Sequence, residues 1–242
     1  MIQTIRSKDR YHAETDWLST NWHFSFDRYY DPHNVQFGPL RVFNDDTVAP
    51  GGGFPLHPHR EMEIVTYMID GALEHKDNMG HHGVIRPGEI QRMSAGTGLR
   101  HSEYNASADE PAHLIQLWIL PAVARLEPSY EQKSFALAER NGKLLPIAVP
   151  AGKSSNGSRN AVQIHQDATI YSSVLAPGES VTHRLTPGRR AYIFVISGGL
   201  WLNGKAFSPG DQARVTAETQ LQLSTAPNQA ATGVHFLLLD LP

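Results

Sequence analysis

Not one of the 242 residues is cysteine, which excludes disulfides, thiolate zinc centres and a cysteine nucleophile. Any metal site must therefore rest on nitrogen and oxygen ligands. An excess of one charge is also lacking: 21 basic residues stand against 24 acidic ones, for a net charge of −3. With no basic run or stripe, there is no electrostatic case for nucleic-acid binding. Apolar runs are short. Leu237-Leu238-Leu239 is typical, far below the ~20 residues that span a bilayer. The charged start MIQTIRSKDRYHAET contains no signal-peptide core. The expectation is a cytoplasmic protein without a membrane partner. Helical patterns are scarce as well, and EQKSFALAERNGK (131–143) is the one short helix candidate, ending before Gly142.

Turn residues, by contrast, are abundant. Twenty glycines and 16 prolines punctuate the chain at intervals of roughly eight to twelve residues, the pattern of short strands in an all-β sandwich or barrel. EIVTYMI (63–69) is rich in β-branched and aromatic residues and ends at Asp70-Gly71, a hairpin dipeptide. ALEHK, HGVIR, IQRM, LRHSEYN (99–105) and AHLIQLWIL (112–120) follow as strand candidates, with a turn at Asp77-Asn78-Met79-Gly80. Tyr192 to Trp201 repeats the strand–glycine–strand pattern that begins at Tyr67, and Pro209-Gly210-Asp211 echoes Pro87-Gly88-Glu89. This implies a duplication with a period of about 125 residues, far longer than a solenoid repeat. The polar stretch AGKSSNGSRN (151–160) reads as a loop or linker.

Seven of the thirteen histidines lie between His57 and His113, and spacing decides which of them matter. His57-Pro58-His59 and His101-Ser102-Glu103 each place two potential ligands at i and i+2. Side chains of an extended strand alternate between faces, so each pair would project to one side of a sheet. Three imidazoles and a carboxylate form a ligand set suited to one divalent Fe, Ni, Cu, Co, Mn or Zn, with positions left open for water, O2 or substrate. Glu61 and Glu63 share the parity of His57 and His59, so either is a rival for the carboxylate. Glu103, beside His101 and just after a glycine turn, is preferred. With the halves superposed on Ile69-Asp70-Gly71 and Ile196-Ser197-Gly198, positions 57 and 59 fall on Arg184 and Thr186, and His183 is expected to face away. Any metal therefore belongs to the first half.

Other features read as structural. Gly51-Gly52-Gly53 is a turn, since no phosphate-loop lysine follows. His81-His82 is expected at the surface, and His75 lacks a paired ligand. Phe24, Phe26, Tyr29 and Tyr30 read as core packing. Phe54, Gln116 and Trp118 are candidates for lining a pocket beside the metal.

The stretches HFSFDRYYDP (23–32), LRVFNDDTV (40–48), HPHREMEIVTYMIDGALEHKDNMG (57–80) and SAGTGLRHSEYN (94–105) resemble the pirin family of the cupin superfamily. Gly96-Thr97-Gly98 stands where the wider superfamily has a proline turn, as it does in pirins. The resemblance is strong over residues 1–135 and looser beyond. It implies a bicupin of two jelly-roll barrels: a metal-binding N-terminal cupin at 1–135 and a degenerate, metal-free C-terminal cupin at 136–242. It also implies His57, His59, His101 and Glu103 as metal ligands, and Glu103 is the catalytic candidate, as a labile ligand or as the base taking a substrate proton. The activity implied is that of a quercetin 2,3-dioxygenase, in which a flavonol or related enol is opened by O2 with loss of CO. A second reading is a metal- or redox-sensing regulatory protein that binds a protein partner with little or no catalysis. A third, a sugar-isomerase-like cupin, fits less well because the matching segments are pirin-type.

Overall fold

A computed structural model describes residues 1–153, 160–226 and 233–242. Part of the expected 151–160 linker therefore lies outside the described residues. The chain divides into two compact units, one formed by Tyr11–Phe135 with Val162–Gln166, the other by Met1–Arg10, Ala136–Ala161 and Asp167–Pro242. The opening strand β1 (Ile2–Ile5) belongs to the second unit because it pairs with Gln212–Val215.

In the first unit the strands are β2 (Tyr11–Glu14), β3 (Leu18–Trp22), β4 (Leu40–Val48), β5 (Gly53–His59), β6 (Glu63–Asp70) and β7 (Leu73–Asp77), followed by β8 (His82–Ile85), β9 (Glu89–Ser94), β10 (Leu99–Asn105), β11 (Ala112–Ile119) and β12 (Ser129–Ser134). They form a seven-stranded sheet, β12-β9-β6-β11-β4-β3-β2, and a four-stranded sheet, β5-β10-β7-β8. The ladders are antiparallel, so alternation decides what faces inward. Val48, Met68, Leu73, Ile85, Ala112 and Leu114 form one apolar cluster, and Ile64, Met93, Ala95 and Leu99 another. Between them runs a polar row. Asn44 pairs with Gln116, Gln116 with Thr66, and Thr66 with Gln91, all buried.

The expected helix at 131–143 does not form, and its first four residues are strand. β12 takes Ser129–Ser134 by pairing with β9, and only a 3-10 turn at Leu137–Arg140 follows. The ladder bonds offered by β9 outweigh the weak helical pattern. A short strand, β14 (Val162–Ile164), also belongs to this unit. It is preceded in the chain by β13 (Leu145–Pro150) of the other unit.

The second unit repeats the plan. Its larger sheet runs β1-β20-β17-β22-β15-β13 and its smaller one β16-β21-β18-β19, with β15 (Thr169–Leu175), β16 (Ser180–Arg184), β17 (Arg190–Ser197), β18 (Leu200–Leu202), β19 (Lys205–Phe207), β20 (Gln212–Val215), β21 (Gln220–Thr225) and β22 (Val234–Leu241). Its interior is mainly apolar, with Ile193, Ala213, Leu221, Leu223 and Leu238 in one cluster.

The ladders also give the true correspondence between the repeats. His101 pairs with His57 as Leu221 pairs with His183, and Glu103 pairs with His75 as Leu223 pairs with Leu202. Hence His57 corresponds to His183, and counting two residues on sets His59 in step with Leu185. The expectation that Arg184 and Thr186 replace the histidines is off by one residue. The connection after Leu185 is one residue longer than that after His59, which a gapless superposition cannot show. His183 does not face away: it is buried, and its Nε2 lies 2.8 Å from Asp240 Oδ2.

Candidate metal centre

The site is built on β5 and β10, paired with His101 opposite His57 and Leu99 opposite His59. On β10, Leu99, His101, Glu103 and Asn105 point inward while Arg100 and Tyr104 are exposed. A register shift follows His101, so that Glu103 lies opposite Phe54, which re-aims the side chains beyond it. Close approach of the strands depends on Gly53, where a Cβ would lie 2.3 Å from the Glu103 carbonyl oxygen. Each i, i+2 pair lies on one strand, and the pairing of β5 with β10 brings the two pairs together.

Rings of His57, His59 and His101 lie 4.7, 4.4 and 4.8 Å apart by centroid, and one nitrogen of each falls within 4.8 Å of the others. His57 Nδ1 lies 2.7 Å from the Pro55 carbonyl oxygen. A carbonyl only accepts, so Nδ1 carries the proton and the Nε2 lone pair is free. His59 Nε2, His101 Nε2 and Glu103 Oε1 are buried with no hydrogen-bond partner among the described residues. Leaving such atoms unsatisfied costs about 1–3 kcal/mol each, and a cation accepting their lone pairs removes that cost. The residues fit a divalent ion held by nitrogen and oxygen. Glu103 stands nearer one side of the cluster, grouping with His101 and with His75 rather than with all three imidazoles.

Electrostatics favour the same occupant. Burial, followed by the neighbouring imidazoles, pushes His59 and His101 down to about 3, so both rings are neutral and able to donate lone pairs. Burial raises the Glu103 carboxyl above its ordinary value. Its Oε2 accepts a hydrogen bond from Gln116 Nε2 at 2.7 Å, and Gln116 Oε1 accepts from Trp118 Nε1 at 3.0 Å. Two of the three residues singled out as pocket lining, Gln116 and Trp118, thus also orient the carboxylate.

Glu61 and Glu63 lie elsewhere. The strand breaks between β5 and β6, with Glu61 at φ 51° accepting from Arg125 N at 3.1 Å. Glu63 is fully buried, and it accepts from Ser94 Oγ at 2.8 Å and from His165 N at 2.7 Å. An unbroken strand would have turned both inward, and this break is what parity could not reveal.

Beside the cluster is a cavity of about 360 Å³, with His57, His59, Glu103 and Gln116 on one wall and Trp17, Trp22, Phe26, Phe54 and Trp118 among the rest. Trp118 meets His59 edge-on at 4.8 Å, Phe26 meets Trp118 at 5.3 Å, and Trp22 meets Phe26 at 5.4 Å. Phe26 is therefore a cavity wall rather than core, and Tyr30, also expected in the core, is 76% exposed. Phe24 is buried as expected. His82 is exposed, whereas His81 is tied to Asp77 at 2.9 Å.

One residue set aside by spacing is central here. His75, fully buried on β7, has Nδ1 3.3 Å from His101 Nδ1. A signal was present, since His75-x-Asp77 is itself an i, i+2 pair of polar residues on a strand.

Two duplicated antiparallel barrels, with a histidine–glutamate cluster in one of them, define a bicupin. The Pirin family model matches residues 4–119, and that of the quercetinase C-terminal cupin domain matches 153–241. The chain is 40% identical over 243 residues to a protein named quercetin 2,3-dioxygenase from Escherichia coli (strain K12), covering 100% of this chain and 99% of the relative. It is also 40% identical to a pirin-like protein of Caulobacter vibrioides over 88% of this chain and 89% of that one. Among solved structures, YhhW from Escherichia coli superposes with a TM-score of 0.90 at 37% identity, covering 100% of this chain and 98% of that chain. A second structure, of the bacterial pirin YhhW in complex with nickel(II), gives 0.89 over 100% and 99%. The chain belongs to the pirin family. Among the described residues no helix is long and apolar enough to cross a membrane.

Proposed function

We propose that the first unit is a metal-dependent dioxygenase site of the quercetin 2,3-dioxygenase type, with His57, His59, His101 and Glu103 as the ligands. The single observation behind this reading is the presence of three buried atoms without partners, His59 Nε2, His101 Nε2 and Glu103 Oε1, beside an aromatic cavity that His59 and Glu103 line. The names of the relatives and the nickel of YhhW support it. A divalent cation bound there supplies Lewis acidity, which lowers the pKa of a coordinated hydroxyl.

The remaining roles belong to the chain. Trp17, Phe54 and Trp118 offer flat apolar faces to a planar aromatic such as a flavonol and keep bulk water from it. Glu103 serves either as a labile ligand or as the base that takes the proton from the substrate hydroxyl, while Gln116 holds its Oε2. The second unit, with His183, Leu185, Leu221 and Leu223 at the corresponding ladder positions, binds no metal in this reading.

The test is anaerobic purification, loading with Fe(II), Ni(II), Cu(II) or Mn(II), and measurement of flavonol absorbance, O2 uptake and CO release. Coupled loss of flavonol and O2 with CO formed is expected. Absence of turnover with every metal overturns the flavonol reading.

A further inference from the structure

Behind the cluster lies a buried hydrogen-bonded chain that the proposed reaction leaves unassigned. His101 Nδ1 is 3.3 Å from His75 Nδ1, His75 Nε2 is 3.4 Å from Asp77 Oδ2, and both His75 and the Asp77 carboxylate are essentially inaccessible to solvent. Asp77 is anchored in turn. Its Oδ1 accepts from the backbone N–H of Met79 and of His81, at 2.9 and 3.0 Å, and its Oδ2 lies 2.9 Å from His81 Nδ1. Tyr130 packs against the rings of both His75 and His81, at 4.9 and 5.1 Å.

Proton placement along this chain is determined from its far end. Asp77, as a carboxylate, only accepts. Burial by itself would raise its carboxyl, but the hydrogen bonds from His81 and His75 hold it below the ordinary value. His75 Nε2 must then carry the proton. A neutral His75 is left with a lone pair on Nδ1, which faces His101 Nδ1, so that nitrogen in turn must carry a proton. His101 is thereby left with its lone pair on Nε2, a buried atom without a partner, on a ring that groups with His57 and His59. We propose that His75 is a positioning residue: with Asp77 behind it, it fixes the tautomer and ring orientation in which His101 binds a divalent metal through Nε2. The inference rests on the metal site proposed above. Orientation of a metal-bound histidine by an outer partner is a general means of raising metal affinity.

A rival arrangement exists, because His75, His101 and Glu103 could themselves surround an ion. It would use Nδ1 of His101 and leave His101 Nε2 and His59 Nε2 buried without partners. The second unit has Leu202 in step with His75 and Leu221 in step with His101, so these two imidazoles are absent together, while His183 keeps the place of His57.

Zinc alone is the probe, with the full chain. In the zinc-loaded wild type, a nitrogen–proton correlation spectrum of the histidine rings should show the proton of His101 on Nδ1 and that of His75 on Nε2; the opposite tautomers overturn the proposal, without need of a variant. His75→Leu should weaken zinc binding, measured by chelator competition, by about 10- to 100-fold. His75→Gln, whose amide can accept from His101 and donate to Asp77, should recover most of that loss. X-ray absorption should count the same number of imidazole ligands in wild type and His75→Gln. One fewer in the Gln variant makes His75 a ligand and overturns the proposal, as do equal affinities in all three proteins. A wild type that binds no zinc removes the metal site itself and the inference with it.

Discussion

The buried ionisable side chains of the first barrel each carry a measurable consequence. Asp46, on β4, is pushed up to about 7, chiefly by burial. Its folded value lies above its unfolded one, so its neutral form contributes fully below pH 4 and that contribution is lost as pH rises through about 7. Asp46→Asn should therefore stabilise the protein at pH 8 by on the order of 2–4 kcal/mol and have little effect at pH 4, as read from urea unfolding at the two pH values. A pH-independent difference would show that Asp46 is ionised throughout. His59 and His101 act in the opposite sense. Their folded values of about 3 lie below the unfolded one, so metal-free protein should lose stability as pH falls from about 6.5 towards 3. At the cluster itself, His101→Ala should abolish bound metal and Glu103→Gln should reduce its affinity about tenfold or more, by elemental analysis and chelator competition. Unchanged metal content in both would remove the site.

Among the elements, the β5–β10 pair determines whether the cluster forms. Gly53 lets the strands meet, because any Cβ there would lie 2.3 Å from the Glu103 carbonyl oxygen and 2.5 Å from Tyr104 Cα, both backbone atoms. Gly53→Ala should therefore cost about 1–3 kcal/mol in urea unfolding and weaken metal binding as well, since β10 carries both His101 and Glu103. Loss of stability with wild-type metal affinity would show that the strands can shift without moving the ligands. Parity along the two strands made the histidine pairs legible in sequence, because alternation is a local property. It could not decide among Glu61, Glu63 and Glu103. That choice depended on the break between β5 and β6, and on the use of Glu63 to hold Val162–Gln166 through the His165 backbone, a contact across 102 residues.

For the whole molecule, the two repeats share a strand plan but differ in what fills them. The polar row Asn44–Gln116–Thr66–Gln91 of the first has Tyr171, Leu238, Ile193 and Ala213 in the same ladder positions of the second. One interior holds polar groups around a ligand cluster, while the other is stabilised by burial of apolar surface. Metal analysis should accordingly give one ion per chain. His183→Ala should leave that ratio unchanged while lowering stability, because it strips a buried partner from Asp240, which still holds Arg189. A ratio of two, or loss of metal in His183→Ala, would place a site in the second barrel.

Composition and spacing by themselves determined the all-β class, the duplication, the exclusion of thiolate chemistry and the His-x-His and His-x-Glu pairs, because each is carried by residue content, local alternation or turn chemistry. Tertiary structure alone decided which glutamate lines the same cavity as His57 and His59, the one-residue offset that brings His183 rather than Arg184 into step with His57, and the presence of His75 behind His101. These depend on strand register and on a break in a strand, and register is set by pairing between segments far apart in the chain.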